Sequence, residues 1–365
     1  MSSLPRPFEI PKRLSLAAQA AGTVRKAIHE GVWKDYVPSE RRLCQMLQVS
    51  RPPLRTALHQ LAKEGLIEIS QGRRNRLLHQ GAREQVQNHL VALVTHEPLS
   101  HMSQTAYESI SEMRAHLAEQ GFATEVLVCH ARSPAAQCQK LATFVRQNRV
   151  FCCVLLSVSK ELQHWAAESR VPALVLGSCH PEIELPSLDV DYRSVCRHAA
   201  GLLLGKGHRR IALVVPNSGV AGDLASERGF TEAVSQSPHP DARAFLVRHN
   251  GTARSITTKL DSLFNSASPP TALIVAKPQH VFIVIIYLLK RGLSVPDTVS
   301  LIARDQDHIF EKVSPPIAHY SYWGNGLAHR LSRLMLQMVN HGSLPVEHNL
   351  VLPELAAGGT VRVLV

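Results

Sequence analysis

The chain has 365 residues, of which 45% are hydrophobic and 5% aromatic, and a net charge of +11. This length predicts two or three domains with enough apolar content for real cores. The longest apolar run, VFIVIIYLL at 281–289, is too short for a membrane span, and prolines and charges interrupt the first 14 residues, where a signal peptide needs an apolar segment. We therefore expect a cytoplasmic protein that does not cross a membrane.

Positive charge is concentrated near the start of the chain. The first 88 residues hold 15 Lys or Arg and 7 Asp or Glu, a net charge of +8, whereas the remaining 277 residues hold 25 and 22, a net charge of +3. A basic segment attracts the phosphate backbone of nucleic acid, and a solvated basic surface is the alternative on charge alone.

Metal sites, cofactor sites and catalytic motifs are not predicted. The seven cysteines show no zinc-site spacing, and no pair of the 20 histidines stands at ligand spacing with a supporting carboxylate. The sequence contains no GxSxG, GxxxxGK[ST] or HExxH motif. We therefore expect a protein that is not an enzyme and binds no cofactor.

The first 79 residues predict three helices and a hairpin. An apolar stripe at helical spacing indicates the first helix, and Ser39 and Ser50 are suitable N-caps for the second and third. Two β-type runs, LIEIS and NRLLH, flank QGRR, where Gly72 permits a turn. This succession predicts a winged helix-turn-helix domain at 1–79, with a polar linker at 80–89.

The stretch PSERRLCQMLQVSRPPLRTALHQLAKEGLIEISQGRRNRL resembles the DNA-binding domain of GntR-type transcriptional regulators. The resemblance implies DNA contacts from the SER arginine, from the Ser and Arg that open the third helix, from the Arg one turn later and from the wing glycine. Pro52 stands where the family commonly has Thr, so one phosphate contact is lost or replaced. The alternatives are that Ser50 only caps a helix and Arg41 only pairs with a carboxylate. With two arginines at the wing tip, the predicted DNA-binding residues are Arg41, Ser50, Arg51, Arg55, Gly72, Arg73 and Arg74.

From residue 90 onward, eight apolar β-type runs alternate with helical segments. Nearly continuous apolar strands separated by helices predict parallel sheets that are covered on both faces. The predicted fold class at 90–365 is therefore α/β, with two doubly wound lobes. In such folds a ligand binds beside the carboxyl ends of the strands, so we expect an effector in the cleft between the lobes.

The segments LDVDYRSVCRHAAGLLLGKGHRRIALVV, RGF and LSVPDTVSLIARDQD resemble the effector-binding core of the lactose repressor family, which is related to type I periplasmic binding proteins. The resemblance spans about 88–365 and implies that Arg228 and Asp305 bind the effector. An arginine fork and a carboxylate that accepts paired hydroxyls suit a sugar-like polyol. The alternative is that the two residues pair with each other or cap helices. Asp191, which precedes a helix, is predicted mainly as an N-cap.

Three further residues are candidates for the cleft. Lys277 stands after TALIVA, where the family often has Asn or Asp, and it indicates either an anionic effector or a solvent-exposed side chain. His96, after the first strand, and Trp323, after the last crossover, are predicted at the cleft rim. Trp323 either stacks on a sugar face or packs in a core.

These observations predict a transcriptional regulator, more commonly a repressor in this architecture, whose affinity for double-stranded operator DNA is controlled by a small, sugar-like effector. A homodimer is expected because one recognition helix reads few base pairs. One alternative is a regulator with an aminotransferase-like part that holds pyridoxal phosphate on a lysine, for which only Lys277 is near a strand end. The other is a solute-binding protein without gene control.

Overall fold

The computed structural model describes residues 15–29, 32–33, 36–63, 66–69, 75–77, 90–129, 133–322 and 326–364. Contacts divide the chain into two compact units, Met1–Gln87 and Asn88–Val365. Gly72, Arg73, Arg74 and Trp323 lie outside the described residues, as does the linker at 80–89. The boundaries of that linker therefore stay a prediction.

The first unit contains three helices and a small antiparallel sheet, as the sequence predicts. A bridge between Tyr36 and Arg76 adds a third strand-like segment to the sheet. The elements are α1 Leu16–His29, α2 Glu40–Leu47, α3 Arg51–Lys63, β1 Ile67–Glu68 and β2 Arg76–Leu77.

A tight turn sets the relation of α2 to α3. Gln48 adopts the left-handed conformation with φ 53°, and its N–H donates to the carbonyl of Cys44. Pro52 and Pro53 fall in the first turn of α3, where the missing N–H groups cost no helical hydrogen bond. The inward face of α3 is fully buried against α1 and α2 through Leu54, Ala57, Leu58 and Leu61.

The second unit contains two lobes, each built on a six-stranded sheet. All strands of lobe 1 are parallel, in the order β13-β7-β6-β5-β3-β4. Lobe 1 comprises β3 Leu90–Thr95, α4 Gln104–Glu119, β4 Ala123–Val128, α5 Pro134–Asn148, β5 Cys152–Leu156, α6 Lys160–Glu168, β6 Ala173–Leu176, β7 Ser187–Val190, α11 Leu327–His341 and β13 His348–Val351.

Lobe 2 has the order β14-β12-β11-β10-β8-β9, and only β14 runs antiparallel to its neighbour. Lobe 2 comprises α7 Tyr192–Gly205, β8 Arg210–Pro216, α8 Ala221–Ser235, β9 Arg243–His249, α9 Ala253–Phe264, β10 Ala272–Val275, α10 Pro278–Lys290, β11 Ser300–Ala303, β12 Ala318–Ser321 and β14 Glu354–Ala356. The chain passes between the lobes three times: after β7, after β12 and after β13.

The eight predicted strands are β3–β6 and β8–β11, and the α/β fold class is confirmed. The sequence missed the four short strands β7, β12, β13 and β14, which hold only three or four residues each and include polar ones. Their contacts with a neighbouring strand, rather than an apolar run, make them strands. They matter for function because three of them precede the chain crossings.

The apolar run at 281–289 forms most of α10, and it is not buried on all sides. Val281, Val284 and Leu288 are fully buried, whereas Ile286 and Leu289 are 54% and 65% exposed. Within the described residues, no helix has the length and apolar character that a bilayer span requires.

Candidate functional site

The first unit presents a basic surface formed by α2 and the start of α3. Arg41, Ser50, Arg51 and Arg55 are all exposed. Arg55 donates from Nε to Glu40 at 3.1 Å, whereas Arg41 forms no ion pair within the described residues. The carbonyl of Ser50 accepts from Leu54 N–H at 3.4 Å, so Ser50 also begins the hydrogen bonding of α3. Contact of these four residues with DNA stays a prediction.

In the second unit, a cleft of about 800 Å³ separates the lobes. From lobe 1 it is lined by the start of α6 and by the loop after β6, and from lobe 2 by the loop after β8 together with α8 and β9. This is the edge at which ligands bind in open α/β sheets. The charged or titratable lining residues are Lys160, Glu161, His180, Glu182, Glu227, Arg228 and Arg248.

The acidic side chains of this cleft already have partners. Arg248 binds Glu227 in bidentate geometry at 2.8 and 2.7 Å, and Lys160 forms an ion pair with Glu182. The pKa of Glu161 is lowered, chiefly by a hydrogen bond from its own backbone N–H. The carboxylates of the cleft are therefore stabilised in their ionised form by the protein itself.

Two cleft residues lack such partners. Arg228, on α8, is exposed and makes no hydrogen bond or ion pair with any described residue. His180, in the loop after β6, is 6% exposed, and its Nε2 has no hydrogen-bond partner within the described part of the chain. Burial lowers the pKa of His180, and the Arg228 guanidinium lowers it further across the cleft. The residues therefore lie on opposite lobes within electrostatic reach of each other.

Arg304, which follows β11, is the centre of a buried ionic cluster. Its Nη1 donates to Asp223 and to Ser226, both at 2.9 Å, while Nε and Nη2 donate to Asp305 at 3.2 and 2.9 Å. The guanidinium carbon lies 4.1 Å from the ring centroid of Tyr192. Burial alone would lower the pKa of Arg304, but the two carboxylates reverse this effect and raise it.

Because Arg304 binds both carboxylate oxygens of Asp305, the structure shows Asp305 in an ion pair rather than open to the cleft. Asp305 is only 7% exposed, and Asp223 is 6% exposed with its second oxygen bound by Ser218 at 2.7 Å. The alternative from the sequence, that Asp305 and Arg228 pair with each other, is not the geometry observed, because Asp305 pairs with Arg304. An effector contact by Asp305 stays a prediction that requires Arg304 to release it.

A third buried carboxylate lies beside the first chain crossing. Asp189 on β7 accepts a hydrogen bond of 2.5 Å from Ser178 and is 9% exposed, and burial raises its pKa to about 6. Tyr322, after β12, lies near the same cluster. Burial raises the pKa of its hydroxyl, and the negative charges of Asp305 and Asp189 raise it further. Ionisable groups from lobe 1 and lobe 2 therefore lie near one another, close to the chain segments that connect the two lobes.

Of the other predicted residues, Asp191 caps α7 by accepting from Ser194 N–H at 3.0 Å, as expected for an N-cap. Lys277 is half-buried and does not line the cleft, but its charge lowers the pKa of Asp223. His96 is exposed after β3 and is also not among the lining residues. Trp323 lies outside the described residues.

Sequence reasoning missed Arg304, Asp223, Tyr192, Asp189 and His180. Arg304 carried one available signal, since a charged residue directly follows an apolar strand in LIARD. The others come from separate loops and helices, so only the fold brings them together. Among the described residues, no group of three or more His, Cys, Asp or Glu is arranged to hold a metal ion.

Comparison with known families finds one match in each of the two units. Residues 16–76 match the family of bacterial regulatory proteins, gntR family, and residues 200–361 match the periplasmic binding protein-like domain. Catabolite control protein A of Priestia megaterium is 26% identical over 165 residues, which are 44% of this chain and 49% of that protein. The match thus spans about half the length of that relative.

Two further similarities cover more of the chain. The arabinose metabolism transcriptional repressor of Geobacillus stearothermophilus is 21% identical over 322 residues, 84% of this chain and 86% of that protein. A solved structure of a LacI family transcriptional regulator from Enterococcus faecium, with bound ribose, covers 75% of this chain and 99% of its own, with 19% identity and a TM-score of 0.62. At this identity the structural likeness establishes the fold alone. The chain therefore combines a gntR-family regulatory domain with a periplasmic binding protein-like domain of the LacI-regulator fold, which is the architecture of a transcriptional regulator.

Proposed function

We propose that the protein is a transcriptional repressor that binds operator DNA through its first unit and is controlled by a small-molecule effector between the two lobes of its second. The observation that carries the proposal is the combination, in one chain, of an exposed basic helix start with an interlobe cleft of about 800 Å³. The similarity to the arabinose metabolism transcriptional repressor supports a sugar or related metabolite as effector.

The DNA-binding part of the proposal rests on α3. Its apolar residues face the core, and Arg51 and Arg55 point away from that core at the start of the helix. A recognition helix of this kind enters the major groove with its N-terminal residues against base edges. We assign base or phosphate contacts to Arg51 and Arg55, and contacts to the backbone to Arg41 and Ser50. The wing residues Gly72, Arg73 and Arg74 belong to the same proposed surface.

The effector part rests on the position of the cleft. A ligand that contacts both lobes binds their closed arrangement more tightly than the open one, and it shifts the equilibrium between the two by that difference in affinity. Arg228 is the proposed ligand contact, and a contact by Asp305 stays a prediction that requires the ligand to displace Arg304 from its carboxylate. Lys277, His96 and Trp323 are secondary candidates, since none of them is among the described lining residues.

A homodimer is the proposed assembly, with a cytoplasmic location, where the protein meets DNA. Two recognition helices on a near-palindromic site double the contacts that one helix makes. The exposed Ile286 and Leu289 lie three residues apart on α10 and give lobe 2 an apolar face for a second copy of the chain.

The test is selection of DNA duplexes from a random library with the full chain, followed by gel-shift titration of the selected sequence. Arg51→Ala is expected to lose about tenfold to a hundredfold in affinity for that sequence, because a bidentate base contact contributes about 1–3 kcal/mol. Arg254→Ala, which removes an exposed arginine on α9 of lobe 2, is the matched control and should bind like the wild type. Enrichment of no sequence, or equal affinity of Arg51→Ala, would refute the proposal.

A further inference from the structure

The buried acceptors of lobe 2 are not available to the hydroxyl groups of a neutral ligand. Each carboxylate oxygen of Asp223 and Asp305 already accepts a hydrogen bond from Arg304 or from Ser218. Arg304 is 1% exposed, and its guanidinium is held by four acceptor atoms and by the ring of Tyr192. A polyol would therefore have to displace a desolvated, doubly paired guanidinium to reach either carboxylate, which is costly.

In the cleft, two glutamates form ion pairs with basic side chains, and one arginine has no ion-pair partner among the described residues. Glu227 and Glu182 are bound by Arg248 and by Lys160, respectively. Arg228 lines the same cleft and, within the described residues, has no hydrogen bond or ion pair of its own. A guanidinium with five unused donors is suited to a planar carboxylate or to a phosphate oxygen pair.

His180 faces this cation from the other lobe. His180 lines the cleft and is only 6% exposed, and its Nε2, which is itself buried, has no hydrogen-bond partner among the described residues. A buried polar atom without a partner is costly, and a bound ligand is one way to satisfy it. The charged groups around the ring are Glu182, Lys160 and Glu161 of lobe 1 and Arg228 of lobe 2.

We infer that the effector is an oxyanion-bearing small molecule, a carboxylate or a phosphate, whose anionic group binds between Arg228 of lobe 2 and His180 of lobe 1. This inference rests on the proposed function, because it names the ligand class of the cleft. An anion held at this position touches both lobes and stabilises their closed arrangement. It also favours the imidazolium form of His180, so binding takes up a proton and strengthens as the pH falls.

The experiment measures binding of four probes to the full chain by isothermal titration calorimetry: inorganic phosphate, ribose 5-phosphate, gluconate and ribose. We expect the two phosphates or gluconate to bind and ribose to bind at least tenfold more weakly. A preference for ribose 5-phosphate identifies a phosphate ligand, and a preference for gluconate identifies a carboxylate. Arg228→Gln is expected to lose about tenfold or more, since a charge-assisted hydrogen bond is removed. Arg254→Gln removes the same charge outside the cleft and should leave the affinity unchanged.

The proton uptake gives a second readout for His180. Gluconate is the probe here because its carboxylate stays ionised between about pH 8 and about pH 6, whereas phosphate itself titrates in this range. The wild type should bind gluconate several-fold more tightly at the lower pH. His180→Gln keeps a hydrogen-bonding side chain and should lose this gain.

The inference is overturned if none of the three anions binds, if ribose binds as tightly as ribose 5-phosphate, or if Arg228→Gln binds the anions like the wild type. These results are separable from the proposed function. Selection of a DNA sequence tests the regulator without any effector, and anion binding at Arg228 is measured without DNA.

Discussion

Arg304 and Asp305 are neighbours in the sequence and partners in space, with two parallel N–H to carboxylate hydrogen bonds of 3.2 and 2.9 Å. The pair is buried, and Asp223 from α8 completes it on the other side of the guanidinium. Asp305, which the resemblance to the lactose repressor family implies as an effector contact, is thus neutralised by the arginine that precedes it. This relationship ties the end of β11 to the start of α8.

Replacement of Arg304 tests how much the buried cluster contributes to lobe 2. Arg304→Met keeps most of the volume but leaves two buried carboxylates without their shared cation. Breaking a buried pair in this way costs about 3–5 kcal/mol, so the free energy of unfolding should fall by that amount. Urea denaturation followed by circular dichroism measures it. Arg193→Met, which removes an exposed ion pair with Glu232, should leave the stability nearly unchanged, because solvent screens such a pair. Equal effects of the two changes would contradict the assignment.

The raised pKa of Asp189 predicts a pH dependence of stability. Because its folded pKa of about 6 lies above the ordinary value of 3.8, its contribution is complete below the ordinary value and is lost as the pH rises through about 6. The loss amounts to about 3 kcal/mol. Asp189→Asn should remove it, as judged by urea midpoints from about pH 4 to about pH 8.

Buried histidines act in the opposite direction in that experiment, since burial lowers the pKa of His180 and His208 as well as of His249 and His280. Burial lowers the pKa of His249 and of His280 to about 4, so they destabilise the fold as the pH falls below the ordinary histidine value. The informative quantity is therefore the difference between wild type and Asp189→Asn at each pH. A difference that is constant over the range would show that Asp189 is not the group responsible.

The close approach of α7 and α8 depends on Gly229, the glycine of the RGF motif. A Cβ at this position would lie 2.0 Å from the carbonyl oxygen of Arg193. This oxygen belongs to the backbone of α7, so it cannot move aside as the end of a flexible side chain could. Gly229→Ala should therefore destabilise lobe 2 by about 3 kcal/mol. Gly201→Ala is the matched change on α7, where no atom lies within 4 Å of the added Cβ, and it should stabilise by about 0.5–1 kcal/mol. Thermal unfolding of both variants measures the contrast, and a neutral Gly229→Ala would contradict the packing argument.

The ion pair between Arg55 and Glu40 predicts a change in DNA affinity. Glu40→Gln releases Arg55 and removes a negative charge beside the proposed phosphate-binding surface. We expect tighter binding and a slope of log affinity against log salt that is steeper by about 0.9, the value for one added phosphate contact. Glu68→Gln removes the same charge on β1 without touching Arg55 and should leave the slope unchanged. An unaltered slope in Glu40→Gln would show that Arg55 does not reach DNA.

The apolar face of α10 predicts where two copies of the chain meet. Leu289→Glu places a charge where the side chain is 65% exposed, so the fold of the single chain tolerates it. Sedimentation velocity should show a dimer for the wild type and a monomer for the variant. Val363→Glu, at a residue 61% exposed near the end of the chain, should stay dimeric. A dimeric Leu289→Glu would place the interface elsewhere.

Much of the architecture follows from local sequence signals. The apolar positions of α3, the two prolines in its first turn and the basic residues around it predict the helix and its exposed arginines, because these signals act within a few residues. The same holds for β3 and for the other seven predicted strands, because apolar runs that alternate with helices are typical of a parallel sheet. The prediction that Asp191 caps α7 also rests on a local signal, because the cap directly precedes the helix.

The tertiary structure alone decided what those elements do together. Strands such as β7 and β12 form because a neighbouring strand supplies their hydrogen-bond partners. Their own residues contain no pattern that predicts a strand. The sequence predicts Asp305 as an open acceptor, but in the structure Arg304 binds it. The fold brings Asp223, Ser226 and Tyr192, from α7 and α8, around the Arg304 guanidinium. His180 and Arg228 lie 48 positions apart in the sequence, and only the facing of the two lobes makes them one site. Long-range contacts and burial set these relationships, whereas the sequence by itself determines local conformation and charge.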